Sequence, residues 1–227
     1  MIEVSAAVGG VPMTKAILFD LWGTIVENGV YPSPVKQVKS MLRLRIRFVE
    51  FIKVFEDVFM TQKHENLSDG FRAVVTAFNV KTPDFVIDKM VGMWNKNSLL
   101  AKPFPEALET LDRLRGEGYK LGLITNTDPF SANQVIDKFE LRDMFDVVML
   151  SCEEGMLKTD EGFFSKALER LGTTAEETAM VGDSIESDVK AAQNAGVRAI
   201  LIDRNGRREY DDKIASLDQL DGMLGDE

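Results

Sequence analysis

Short apolar runs punctuate the chain at Lys15–Asp20 (KAILFD), Tyr119–Thr125 (YKLGLIT), Phe145–Leu150 (FDVVML), Thr178–Asp183 (TAMVGD) and Val197–Asp203 (VRAILID). Each is rich in aliphatic side chains and is bounded by Gly, Asn or Asp. They lack the alternation of a strand with one wet face, so they predict strands buried on both faces of a parallel sheet. Helical patterns fill the intervals. Leu108, Leu111 and Leu114 recur at three-residue spacing within Pro105–Arg115, and Gly116 and Gly118 follow as stop signals. Ser131–Phe139, Gly162–Leu171 and Ser187–Ala195 carry the same texture, the last two closing at Gly172 and Gly196. Strands alternating with helices of this length predict an α/β fold, a Rossmann-like doubly wound parallel sheet.

A second texture occupies the stretch from Val30 to Ala101, where no buried-strand run occurs. Val35, Val38, Leu42, Ile46 and Val49 keep near-helical spacing and predict one long first helix. Ser68–Phe78 and Asp84–Trp94 predict two more, with Thr82 as the N-cap and Pro83 at the first helical position. The expected organisation is a core of residues 1–28 and 101–227 with an all-helical insertion at 29–100.

Composition narrows the class. The chain has 227 residues, 44% of them hydrophobic and 28% charged, which excludes disordered and collagen-like classes. A single cysteine, Cys152, rules out a disulfide scaffold and points to a reducing compartment. No run approaches the roughly 18 apolar residues of a membrane span. Residues 1–12 carry no basic leader, and Met13 would also serve as a start. A cytoplasmic protein follows. With 27 basic against 37 acidic residues the net charge is −10, so neither nucleic acid nor a membrane is an expected partner. Monomer and homodimer both stay open.

The candidate chemistry sits at strand ends. Three of the five runs close on Asp20, Thr125 and Asp183, and in open α/β sheets ligands bind outside the carboxyl ends of the strands. An isolated aspartate there is usually a turn or cap residue. Here it has company: Asp20-Leu21-Trp22-Gly23-Thr24, then Thr125-Asn126, then Gly155-Met156-Leu157-Lys158-Thr159-Asp160, then Val181-Gly182-Asp183-Ser184-Ile185-Glu186-Ser187-Asp188. These four motifs, in this order along the whole core, resemble those of the haloacid dehalogenase superfamily of hydrolases.

That resemblance implies a magnesium-dependent phosphatase acting on a small phosphorylated metabolite, with Asp20 as a nucleophile that becomes a phospho-aspartate. It implies Mg²⁺ held by Asp20, the backbone carbonyl of Trp22 and Asp183, hard oxygen ligands of the kind this ion prefers. Asp188 would orient a metal-bound water or Lys158. Thr125, helped by Asn126, would hold a phosphoryl oxygen, and Lys158 would supply a fixed positive charge beside the transferring group. The insertion would act as a cap. Two departures stand out: the prolines usual around the family's lysine are missing at Thr159 and Glu161, and Trp22 occupies the place where phosphatases of the family carry an aspartate as proton donor. An aromatic residue at that place is a feature of the 2-haloacid dehalogenases, which use no metal. Asp183 argues the other way, because without a cation it is a like charge beside Asp20. A dehalogenase and a non-catalytic binding protein remain the alternatives.

Four other features complete the reading. Lys36, Lys39, Arg43 and Arg47 would form one basic stripe on the first helix of the insertion, open to three interpretations: an anion-collecting face, a solvated face or a partner surface. His64, the only histidine, reads as a loop bystander rather than as the missing acid–base. Cys152 reads as a small core residue. Phe48, Phe51, Phe55 and Phe59 read as packing.

Overall fold

A computed structural model describes residues 13–224, so the expectations for residues 1–12 lie outside the described residues. Its strands are β1 (Ala16–Phe19), β2 (Val26–Glu27), β3 (Lys102–Pro103), β4 (Lys120–Thr125), β5 (Val147–Leu150), β6 (Thr178–Gly182), β7 (Arg198–Ile202) and β8 (Lys213–Ile214). Six of them form one parallel sheet in the order β5-β4-β1-β6-β7-β8. All five expected runs are in it. The edge strand β8 was not anticipated, since two residues offer no apolar run to read.

The strand order explains where a site can form. From β1 the chain steps outward through β4 to β5, then returns to β6 on the other side of β1. The order reverses at β1, which opens a crevice at its carboxyl end.

The helices are α1 (Pro34–Met41), α2 (Phe48–Met60), α3 (Leu67–Ala77), α4 (Asp84–Leu100), α5 (Ala107–Gly116), α6 (Pro129–Lys138), α7 (Ser151–Glu154), α8 (Phe163–Leu171), α9 (Ala191–Asn194) and α10 (Asp221–Leu224). Ile17 and Phe19 face the layer holding α5 and α6, against Leu111, Leu114 and Val135. Ala16 and Leu18 face the opposite layer, against Phe163 and Ala167 of α8 and Ala192 of α9. Both faces of β1 are therefore dry, which is why its side chains never alternate with polar ones.

Helices α1–α4 lie between β2 and β3, which pair antiparallel through Val26 opposite Pro103 and Glu27 opposite Lys102. That pairing returns the chain beside its point of departure. The helices carry their own apolar cluster, centred on Phe51, Phe55, Phe59, Phe71, Met90 and Trp94. The rings of Phe55 and Phe59 stack at 5.1 Å and those of Phe59 and Phe71 at 4.8 Å. Such pairs add about 0.5–1.5 kcal/mol each beyond their burial. Leu157 and Phe130, from the sheet side, pack into the same cluster.

The structure corrects four local readings. The first helix of the insertion does not run on to Val49: α1 stops at Met41, Arg43 takes a left-handed conformation (φ 53°), and a new helix starts at Phe48. The break buries Leu42 and half-buries Leu44, while Lys39 Nζ donates to the Leu44 carbonyl at 3.0 Å. Consequently the basic stripe does not exist. Arg47 ends in the turn before α2, paired with Glu50 at 2.6 Å, and of the four cations only Lys36 reaches the pocket described below. Pro83, not Thr82, occupies the cap position of α4. The expected helix at Ser187–Ala195 is a π-helical turn over Ile185–Lys190 continued by α9.

Candidate active site

Three adjacent strand ends place three functional side chains. Asp20 directly follows β1, and its amide donates to the Val181 carbonyl at 3.0 Å, tying it to β6. Thr125 is the last residue of β4, and Asp183 follows Gly182, the last of β6. Gly23 takes φ +82°, and a Cβ there would lie 2.6 Å from Asp183 Oδ2, so only glycine lets the turn after β1 approach that carboxylate.

Lys158 comes from the loop beyond α7 and is 2% exposed. Its Nζ bridges Asp20 Oδ1 at 2.6 Å and Asp188 Oδ1 at 2.5 Å. Its backbone amide donates to Asn126 Oδ1 at 2.9 Å, and the neighbouring Leu157 amide to Asp160 Oδ2 at 2.7 Å. Side-chain acceptors thus fix this loop in the absence of the two prolines. Asp188 Oδ2 accepts from the Ser184 amide at 2.8 Å, so both oxygens of Asp188 are engaged.

Glycine at 182 gives Asp188 its room, because a Cβ there would overlap the Asp188 carboxylate. Gly182→Ala is expected to displace Asp188 and loosen its grip on Lys158, at a cost of about 1–3 kcal/mol typical of overpacking. A melting temperature within about 1 °C of wild type would contradict this.

The electrostatics are those of a site short of positive charge. Among the described residues, carboxylate oxygens of Asp20, Asp183 and Asp188 lie within 4.8 Å of one another. Burial pushes the Asp20 carboxyl up, and Asp188 adds to this while Lys158 opposes it. Burial, then Asp20 and Asp188, raises Asp183 to about 7. Burial alone would lower Lys158, but Asp188 and Asp20 outweigh it and hold the ammonium above its ordinary range. Three carboxylates face the Lys158 ammonium and, 3.9 Å from Asp183, the Arg208 guanidinium, which leaves the cluster net negative and able to take a divalent cation. The Thr125 hydroxyl is buried with no hydrogen-bond partner, a donor held ready for an oxyanion.

A pocket of about 500 Å³ is lined by Asp20, Trp22, Thr125, Asn126, Lys158, Asp183 and Asp188 together. Every residue singled out as a site candidate meets in this one place. The Trp22 ring lies flanking it and donates from Nε1 to Thr127 Oγ1 at 3.3 Å, so the indole cannot serve as an acid. His64 lies elsewhere, half-buried, with Nε2 3.0 Å from the Val58 carbonyl and its ring against Phe59. Cys152 is buried, and burial pushes its thiol up to about 12, so it is inert packing.

The sequence reading missed the opposite wall. Phe48, Ile52, Glu56 and Met60 of α2 line the same pocket, a single row at four-residue spacing. Phe48 is exposed at the pocket, unlike the three other phenylalanines grouped with it as packing. Glu56 Oε2 accepts from Asn126 Nδ2 at 3.3 Å. Its carboxyl rises to about 7, chiefly through burial, against the opposing pull of Lys158 and Asn126. A lone acid interrupting an apolar i, i+4 row was the available signal. Around it the insertion is pinned to the strand ends: Trp94 Nε1 donates to Asp128 Oδ2 at 2.8 Å, and Ser151 Oγ to the Met60 carbonyl at 2.6 Å.

Comparison with known proteins agrees with this geometry. A model of the haloacid dehalogenase-like hydrolase family matches residues 14–196. A glyceraldehyde 3-phosphate phosphatase of Methanocaldococcus jannaschii is 30% identical over 205 residues, covering 88% of this chain and 90% of the relative. A solved phosphatase of the same superfamily from Thermococcus onnurineus is 27% identical with a TM-score of 0.61, covering 94% of this chain and 99% of that one. A 2-haloacid dehalogenase from Pseudomonas syringae superposes with the same TM-score at 23% identity over 93% of this chain and 98% of that one, which speaks for the fold alone. With four motifs in order, their side chains gathered in one pocket and a family match over most of its length, this chain belongs to the haloacid dehalogenase-like hydrolases.

Proposed function

We propose that the protein is a magnesium-dependent phosphatase that hydrolyses a small phosphorylated metabolite through a phosphorylated Asp20. The observation that carries this reading is the charge of the cluster. A buried nucleophilic carboxylate flanked by Asp183 and Asp188, with Lys158 bound to two of the three acids and Arg208 3.9 Å from the third, keeps a net negative charge that suits a divalent cation and a phosphoryl group more than a neutral carbon centre. The relatives named as phosphatases support it.

In this reading Asp20, the Trp22 carbonyl and Asp183 would hold Mg²⁺, which when bound draws charge from the phosphoryl oxygens. Asp188 stays outside the ligand set because Lys158 and the Ser184 amide already occupy its oxygens. Lys158 holds Asp20 in position and lends its charge to the phosphoryl oxygens as they pass. The Thr125 hydroxyl donates to one of those oxygens, and Asn126 holds the Lys158 backbone while facing the pocket. Residues 29–100 would act as a cap that covers the site, on a core of residues 1–28 and 101–227. The same reading puts the protein in the cytoplasm, in keeping with its single cysteine.

The test is hydrolysis of p-nitrophenyl phosphate, whose phenolate leaves without needing a proton. Turnover is expected with Mg²⁺ and is expected to disappear with a chelator. No turnover at any Mg²⁺ concentration would remove this reading. Trp22 favours the second reading, a 2-haloacid dehalogenase, and chloride release from a 2-haloacid without metal would establish it. Binding of phosphate with Mg²⁺ but no turnover of either substrate would identify a non-catalytic member.

A further inference from the structure

Resting on the phosphatase reading, we infer that Glu56, projecting from α2 into the pocket, is the proton donor to the departing alcohol in place of the residue lost at Trp22. The chain has an indole where a proton donor would stand, and that indole points its only N–H at Thr127. Among the described residues lining the pocket, His64 is absent and Cys152 is absent. The acids that line it are Asp20, Glu56, Asp128, Asp183, Glu186 and Asp188.

Elimination among these six is geometric. Asp20 and Asp188 are bound to Lys158. Asp183 belongs to the cluster suited to a cation. Asp128 caps α6 through the Phe130 and Ser131 amides and accepts from Trp94 Nε1. Glu186 is exposed and paired with Lys190 at 2.6 Å. Glu56 alone comes from the wall facing the strand ends, among Phe48, Ile52 and Met60, where it is half-buried and held by a single neutral donor, Asn126. Asn126 also fixes the Lys158 backbone, so Glu56 is positioned relative to the nucleophile through one shared side chain. Its raised carboxyl is in keeping with an acid that still carries its proton near neutrality.

The proton balance closes over two steps. As an Asp20 oxygen bonds to phosphorus and the P–O bond to the alcohol breaks, the alcohol oxygen takes the proton of Glu56. Glu56, now a carboxylate, accepts a proton from the water whose oxygen attacks phosphorus. The P–O bond to Asp20 then breaks, returning free Asp20, inorganic phosphate and protonated Glu56.

The experiment compares wild type, Glu56→Gln and Glu56→Asp on p-nitrophenyl phosphate and on an alkyl phosphate such as glycerol phosphate, in saturating Mg²⁺. Positioned acids contribute about 10²–10⁴-fold. Glu56→Gln is expected to lose at least about 100-fold more kcat/KM, which reports the step that forms phospho-Asp20 and not the water attack common to both esters, on the alkyl ester than on the nitrophenyl ester, and Glu56→Asp to recover part of that difference. A merely structural role would lower both substrates alike and would not be rescued by a shorter acid. Equal losses of kcat/KM on the two esters, or none, would overturn the assignment of Glu56 while leaving the phosphatase intact. A wild type inactive on both esters would instead remove the phosphatase reading, and the role of Glu56 with it.

Discussion

Asp20→Asn is expected to lower kcat on the order of 10⁵-fold, the scale seen when a nucleophile is removed from a site whose other parts remain. The amide has nearly the volume of the carboxylate, so the packing at the end of β1 is kept. Its nitrogen and carbonyl cannot form an acyl phosphate that water then hydrolyses. The fold should survive for an electrostatic reason. Lys158 keeps its contact with Asp188, and the cluster loses one of three mutually repelling carboxylates. The melting temperature in chelator is therefore expected to stay within a few degrees of wild type, even though one buried ion pair is gone. Brief incubation of wild type with a labelled phosphate ester, followed by an acid quench, should leave label on the protein, and Asp20→Asn should leave none. Label on the mutant, or activity above about 1% of wild type, would mean that another residue attacks.

What the sequence disclosed, and what it hid, divides along a physical line. The five buried strands were legible because both faces of the sheet are dry, so each became a continuous apolar word such as Ala16–Phe19. The site residues at strand ends were legible because topology, not side-chain detail, puts the ends of β4, β1 and β6 side by side. Lys158 was legible only by its place in the order of the four motifs; its burial between Asp20 and Asp188 is a tertiary fact. The break between α1 and α2 escaped because an apolar spacing that suits one long helix suits two shorter ones equally. One left-handed residue, Arg43, decides between them, and arginine carries no signal for that conformation. Glu56 escaped for a related reason. Its row on α2 was visible, but which face of a helix meets a pocket depends on how the helix docks, here through Trp94, Ser151 and Asn126.

Lys158→Ala carries the second large effect, on stability as much as on rate. The ammonium is 2% exposed, and its two partners, Asp20 and Asp188, are 6% and 1% exposed. Removing one partner of a buried ion pair costs about 3–5 kcal/mol, because the charges left behind remain desolvated. For a chain of this length that is a fall in melting temperature of roughly 6–20 °C at pH 8 in chelator. The pH dependence gives the cause. Without Lys158, burial and the repulsion of Asp188 raise the folded-state pKa of Asp20 further, and a carboxyl raised on folding favours the folded protein only while protonated. Such a group adds stability at low pH and loses it as pH climbs through the folded value. The mutant's deficit should therefore shrink between pH 8 and pH 5.5, on top of the similar trend that Asp183 and Glu56, both raised to about 7, give to either protein. Lys158→Met restores most of the lost volume but no charge, so it separates packing from electrostatics and should show the same pH trend. Turnover in Mg²⁺ should fall by about 10³-fold in both variants, the loss expected when a preorganised positive group is taken from the transition state. A Lys158→Ala protein that melts within about 2 °C of wild type at pH 8 would show that the three acids are not strongly charged together, and the case for a divalent cation between them would fall with it.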